Sequence, residues 1–289
     1  MQFDLFDHSH QVALRNDVIL ALEKGLTAAA RAACQALRQS YPQDECLDAF
    51  RVLIEAQNQP TLAAFQSHDD MRAARLALVQ NIAPAARSAL GQHANTWLGL
   101  RWHDLAQRAM SLSYRADRPD DHAAPAWLNA GNWPACINSV TSIASWRRIP
   151  MPLSWMLQAR LRTQGLLANW GLVAELAWMS PQRLKVVIEQ ADDPILMALV
   201  NKFELNFEGA GDFHDLAWFP AWVLTERPTL ASALTQAQPS QHTEPEQAMR
   251  LLLELLGLER QGRQRDLIEA RKFLRGLHDP LYTAYMATR

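Results

Sequence analysis

Apolar residues recur at three- and four-residue intervals along most of this chain, the pattern of helices that bury one face. Val18, Leu22, Ala29, Ala33 and Leu37 carry it through two segments, 14–24 and 27–40, broken at Gly25. Pro42 opens the next unit. Residues 45–56 read as a third helix through Leu47, Phe50, Leu53 and Ile54, and Asn58-Gln59-Pro60 ends it. The following stretch is less regular. Asp69 and Asp70 are placed to cap a helix running to about Gln80, Pro84 to open another, and 95–113 to form a longer helix with Trp97, Leu100, Leu105 and Met110. Residues 115–122, polar and holding Pro119, read as a linker.

Beyond it the pattern becomes paired. Segments 125–130 and 133–147 flank Gly131, with Trp133, Ile137, Val140 and Ala144 on one face of the second. Segments 153–163 and 166–179 flank Gly165, and 195–208 and 213–224 flank Gly209 and Gly211. Ser180-Pro181 and Asp192-Asp193-Pro194 are helix starts. Pro220 inside an apolar run predicts a kink or a split. A polar connector, 236–246, contains Thr243 and Glu246 at capping-box spacing. Segments 249–261 and 263–275 then pair around Gly262, and Asp279-Pro280 begins a terminal helix. Gly131 and Gly165 lie 34 residues apart, the period of a helical repeat.

Composition agrees with this picture. Ala and Leu dominate, only 11 of 289 residues are glycine, and alternating β-branched runs are nearly absent, so the fold class is all-α. The length suits one continuous array over 1–289 or two lobes, an N-terminal 1–118 and a Trp-rich 123–289. A net charge of −2 gives no general attraction to nucleic acid or anionic membrane. Cys34, Cys46 and Cys136 form neither a disulfide framework nor a zinc spacing, which fits a reducing, cytoplasmic compartment. The start, with Asp4 and Asp7 and no basic stretch, does not read as a secretory signal. Residues 123–146 carry no charge, but three asparagines, Pro125 and Pro134 interrupt them, so a buried helix pair is expected there and no membrane span.

The placement of small residues and prolines resembles the tetratricopeptide repeat family. Gly25, Ala30 and Pro42 fall at that family's offsets, Gly165 is followed by Ala177 and Pro181, and Gly211 by Pro228. Trp170 and Leu216 stand where the family prefers a small residue, and 60–119 does not align. The resemblance implies a right-handed α-solenoid of stacked antiparallel helix pairs, whose first helices line a concave face that holds a peptide or partner helix. Projecting that register places Arg15, Asn129, Trp155, Arg162 and Asn201 on the concave face. The family's carboxylate-gripping Lys and Asn set is not reproduced, so a receptor for chaperone C-terminal peptides is not expected.

All ten tryptophans lie from Trp97 to Trp222, where they fill space between helices, with Trp155 the one assigned to the groove. Arg260, Arg263, Arg265, Arg271, Lys272 and Arg275 are interleaved with Glu259, Asp266 and Glu269, the pattern of a solvated face. Arg147 and Arg148 sit where a helix dipole favours bases at its C-terminus. The pairs Asp69/Asp70, Asp120/Asp121 and Asp192/Asp193 lack the third aspartate of a magnesium box and read as helix starts. His8-x-His10 is the one close histidine pair, and no nucleotide-binding, hydrolase or zinc-protease motif occurs. No cofactor, metal or catalytic residue is assigned. The expectation is an interaction scaffold that binds another protein or a peptide. The alternatives are an all-α enzyme with an inter-lobe cleft and self-assembly through the Trp-rich middle.

Overall fold

The computed structural model describes residues 2–58, 63–207, 213–240 and 242–289, with the side chains of all but 2–8, 213 and 214. Gln59, Pro60, Glu208, Gly209 and Gly211, and the side chain of His8, lie outside that description. Every regular element among the described residues is helical and none is a strand. Among them, no helix is long and apolar enough to cross a membrane. Contacts group the chain into two compact units, Met1–Asn132 and Trp133–Arg289.

The first unit contains α1 (Gln2–Glu23), α2 (Thr27–Ser40), α3 (Leu47–Gln57), α4 (His68–Ala77), α5 (Ala83–Leu90), α6 (Ala94–Arg108) and α7 (Ala123–Asn129). Helix α1 packs on α2 and α2 on α3, then α3 on α5, α5 on α6 and α6 on α7. Gly25, at φ +73°, supplies the left-handed residue that ends α1. Val18, Leu22, Ala30, Leu37, Phe50 and Leu53 meet beneath it in a core with 0–1% exposure. Helix α4 is capped by Ser67, whose Oγ accepts from the Asp70 amide at 3.2 Å; Asp69 and Asp70 occupy the first turn instead of the cap.

Pro84 does not open a new helix. The chain runs on from α4 through a π-helical turn, Leu78–Ile82, directly into α5. Proline at position 84 offers no N–H to the carbonyl four residues back, and the wider π-turn accommodates that loss. Residues 115–122 are likewise not a free linker. Asp121 is buried and pairs with Arg75 at 3.1 Å, Arg118 pairs with Asp69, and His122 caps α7 by accepting the Ala124 amide at 3.2 Å. Helix α7 packs on α6, so it belongs to the first unit rather than opening a second lobe at residue 123.

The second unit contains α8 (Trp133–Thr141), α9 (Pro150–Gln164), α10 (Trp170–Met179), α11 (Pro181–Ala191), α12 (Pro194–Asn206), α13 (Phe219–Glu226), the single turn α14 (Ala231–Leu234), α15 (Glu244–Gln261), α16 (Gln264–Leu277) and α17 (Asp279–Ala287). Helix α10 is its axis: every residue from Trp170 to Trp178 is buried, as expected of a helix apolar all round. It packs against α9, α11, α13, α14 and α15. Trp170, Phe203, Phe219 and Trp222 form a tilted and edge-to-face cluster, with ring centroids 5.4–6.5 Å apart. Pro220 falls in the first turn of α13, after a short 3-10 segment, so the apolar run splits there. Asp193 caps α12 by accepting the Ile195 and Leu196 amides.

Candidate functional site

The five side chains assigned to a concave face are divided between the two units. Arg15 and Asn129 belong to the first unit; Trp155, Arg162 and Asn201 belong to the second. Trp155 is 4% exposed, inside the core of the second unit, and cannot anchor a partner. Its helix, α9, buries residues around much of its circumference, so a register borrowed from repeat spacing does not separate an outer face. Arg162 is exposed and donates to the Gln190 carbonyl at 2.9 Å, near the end of α11. Asn129 bonds back to Pro125 within its own helix, and Asn201 is exposed on α12.

Arg15 points instead into the turn between α2 and α3. Its Nε donates to Asp44 at 2.7 Å, beside Gln11 at 2.7 Å, while the Cys46 amide donates to the other carboxylate oxygen at 2.8 Å. Burial pushes the Asp44 carboxyl upward, but the hydrogen bonds from Arg15, Gln11 and the Cys46 amide outweigh it and hold the group below its ordinary range. The side chain of Asp44 has no exposure at all, so this pair fixes the turn that joins α2 to α3.

That turn closes one end of a groove of about 940 Å³. One face of α2 forms a wall through Arg31, Cys34, Gln35, Arg38 and Gln39; one face of α3 forms the other through Leu47, Asp48, Arg51, Ile54 and Glu55. The intervals are three, four, seven and eight residues, which place each set on a single side of its helix. Helix α2 carries only basic charge, Arg31 and Arg38. Neither guanidinium has an ion pair or side-chain hydrogen bond among the described residues. Helix α3 carries Asp48 and Glu55, with Arg51 between them at 3.5 Å from Asp48. Half-buried Cys34 and Leu47 and buried Ile54 supply the apolar floor.

The second unit holds a smaller cavity of about 220 Å³, lined by Arg147, Arg148, Glu175, Met179 and the segment from Gln238 to Ser240. Its charges serve the fold. Glu175 projects from the middle of α10 with 2% exposure and receives both Arg147 nitrogens, at 2.7 and 2.5 Å. Arg147 therefore grips a buried carboxylate from a 3-10 turn, rather than closing a helix dipole. The Gln238 amide donates to the same carboxylate at 2.7 Å, and Arg147 donates to the Gln236 carbonyl at 3.1 Å. Gly171, one turn before Glu175, allows this strap to lie close: a Cβ there would stand 3.1 Å from the Ala237 nitrogen. Buried Glu246 holds the other end, accepting the Ser240 and His242 amides and Arg250. The predicted capping box is therefore not formed: Glu246 accepts the Ser240 and His242 amides, and the Thr243 hydroxyl makes no cap bond.

Other shifted groups are structural. Burial, with a small contribution from His68, lowers His122 to about 4, and burial raises Cys136 to about 12; neither lines either cavity. Tyr285, wholly buried, donates to Glu259, which also meets Arg271 and Arg289 and fastens α17 onto α15 and α16. Of the rest of the basic C-terminal set, Arg263 pairs with Asp266, Lys272 with Glu269 and Arg275 with Asp279, Arg260 donates to the Leu256 carbonyl, and Arg265 has no ion pair among the described residues. No cluster of metal-ligating side chains occurs among the described residues.

The groove residues carry a signal that the family register passed over: Arg31/Arg38, Leu47/Ile54 and Asp48/Glu55 each recur at seven residues. No protein-family model, curated protein or solved structure matches this chain.

Proposed function

We propose that this chain is a helical interaction module that takes a segment of another protein into the groove between α2 and α3. The observation that carries this reading is the pair Arg31 and Arg38, without an ion pair among the described residues, set along one wall of a groove of about 940 Å³ whose opposite wall bears Asp48 and Glu55 with Arg51 between them. Exposed charges aligned in this way steer and select a partner more than they stabilise a fold. The locked Arg15–Asp44 turn supports a preformed surface, which lowers the ordering cost of binding. Helix ends formed by left-handed glycines at Gly25, Gly131, Gly165 and Gly262 support the further reading as a scaffold of stacked helix pairs, similar to tetratricopeptide repeats. The cysteines are free thiols, two of them buried, in keeping with a cytoplasmic setting.

The test is hydrogen exchange on the chain with and without a partner captured from its own host's lysate, together with capture by the Arg31→Glu/Arg38→Glu variant. Protection on α2 and α3, and loss of that partner with the variant, are expected. Equal capture by both forms, or protection confined to the second unit, overturns the reading.

A further inference from the structure

Granting the groove as the binding face, we infer that its occupant is a helix of another protein with an apolar stripe, acidic residues along the flank that meets α2 and basic residues along the flank that meets α3. Arg31 and Arg38 are seven residues apart on the basic wall, and Asp48 and Glu55 are seven apart on the opposite wall, which stays net acidic with Arg51 between them. Seven residues advance a helix by about 10.5 Å, so both walls repeat at the same two-turn interval. Leu47 and Ile54 on the floor share that interval.

A third helix laid along this hairpin meets the floor with one apolar residue per heptad and the two walls with its flanking positions. This is the division of labour between the seam and the flanks in a coiled coil. An extended segment is out of step, because its same-face side chains repeat every 6.6–6.8 Å at the usual rise per residue. A uniformly acidic or basic segment satisfies one wall and is repelled by the other. With so small an apolar floor, charge decides which helix enters, and binding weakens with salt.

The probes are three fluorescein-labelled, hydrocarbon-stapled 14-residue helices sharing one leucine stripe. One has Glu on one flank and Lys on the other, one has Glu on both, and one has Lys on both. Anisotropy titrations use the full chain at low and high salt. The mixed helix is expected to bind about tenfold more tightly than either uniform one, with the margin shrinking in salt. The Arg31→Glu/Arg38→Glu variant, which makes both walls acidic, is expected to switch its preference to the all-Lys helix. The neutral pair Arg31→Gln/Arg38→Gln is expected to bind the mixed and all-Lys helices alike, and circular dichroism checks the fold of both variants. Equal binding of all three helices by the native chain overturns the charge assignment while leaving the groove as a binding face. Binding of none overturns both. Self-association that disappears in the glutamate variant identifies the occupant as a second copy and overturns the assignment to another protein.

Discussion

Helices α2 and α10 show opposite uses of a helical surface. Helix α2 buries Ala30 and Leu37 and leaves most of its circumference open, including both of its charges. Helix α10 buries everything from Trp170 to Trp178, and its one charge, Glu175, is consumed by Arg147 and the Gln238 amide. All ten tryptophans are buried or half-buried. Seven of the ten lie in the second unit, so aromatic abundance marks packing there, while Arg31 and Arg38 of α2 stay exposed.

Substitutions at the two helices should separate cleanly. The largest effect is expected from Glu175→Ala, which strands the Arg147 guanidinium and the Gln238 amide; denaturant titration should show a loss of about 3–5 kcal/mol. Replacing both partners, Arg147→Met with Glu175→Leu, should recover part of it, because apolar residues of similar volume tolerate the site while the Gln238 amide still lacks its acceptor. Next is acid. The unfolded chain protonates His122 near 6.5, whereas the folded imidazole, buried and accepting the Ala124 amide, does so only near 4. Stability should therefore fall as pH drops from about 6.5 toward 4, by up to about 3 kcal/mol from this group. His122→Asn, a cap that does not titrate, should flatten that part of the profile. Gly171→Ala should cost about 1–3 kcal/mol, because the Ala237 backbone must give way. Smallest is Arg31→Glu/Arg38→Glu, expected to stay within about 0.5 kcal/mol of the native chain while altering partner choice. A large loss of stability from that last pair would make α2 a structural element like α10.

Much of the helix layout is legible in the sequence where strong punctuation brackets it. Thr27–Ser40 lies between Gly25 and Pro42, and the α15–α16 turn is marked by Gly262. The stretch from 68 to 94 is less legible, because the π-turn at Leu78–Ile82 inserts a residue into the helical count and puts the apolar positions of α4 and α5 out of phase. Spacing does not place Trp155 correctly for a related reason: α9 is buried on too many sides for a period to select one. The strap from Gln236 to Ser240 carries no local pattern at all, since its partners Glu175 and Arg147 lie 63 and 89 residues away. Only the seven-residue recurrence in α2 and α3 was present in the sequence and unused.

That strap also sets an order of events during synthesis. Glu175 follows Arg147 by 28 residues, and the Gln238 amide follows after a further 63. At ordinary elongation rates the interval is about 3–13 s. Throughout it, the side of α10 around Gly171 and Glu175 has no cover from residues 236–238, and the carboxylate remains open to water on that side. The second unit is therefore completed only after the strap has been made, when residues 236–238 cover the side of α10 that its earlier helices leave open.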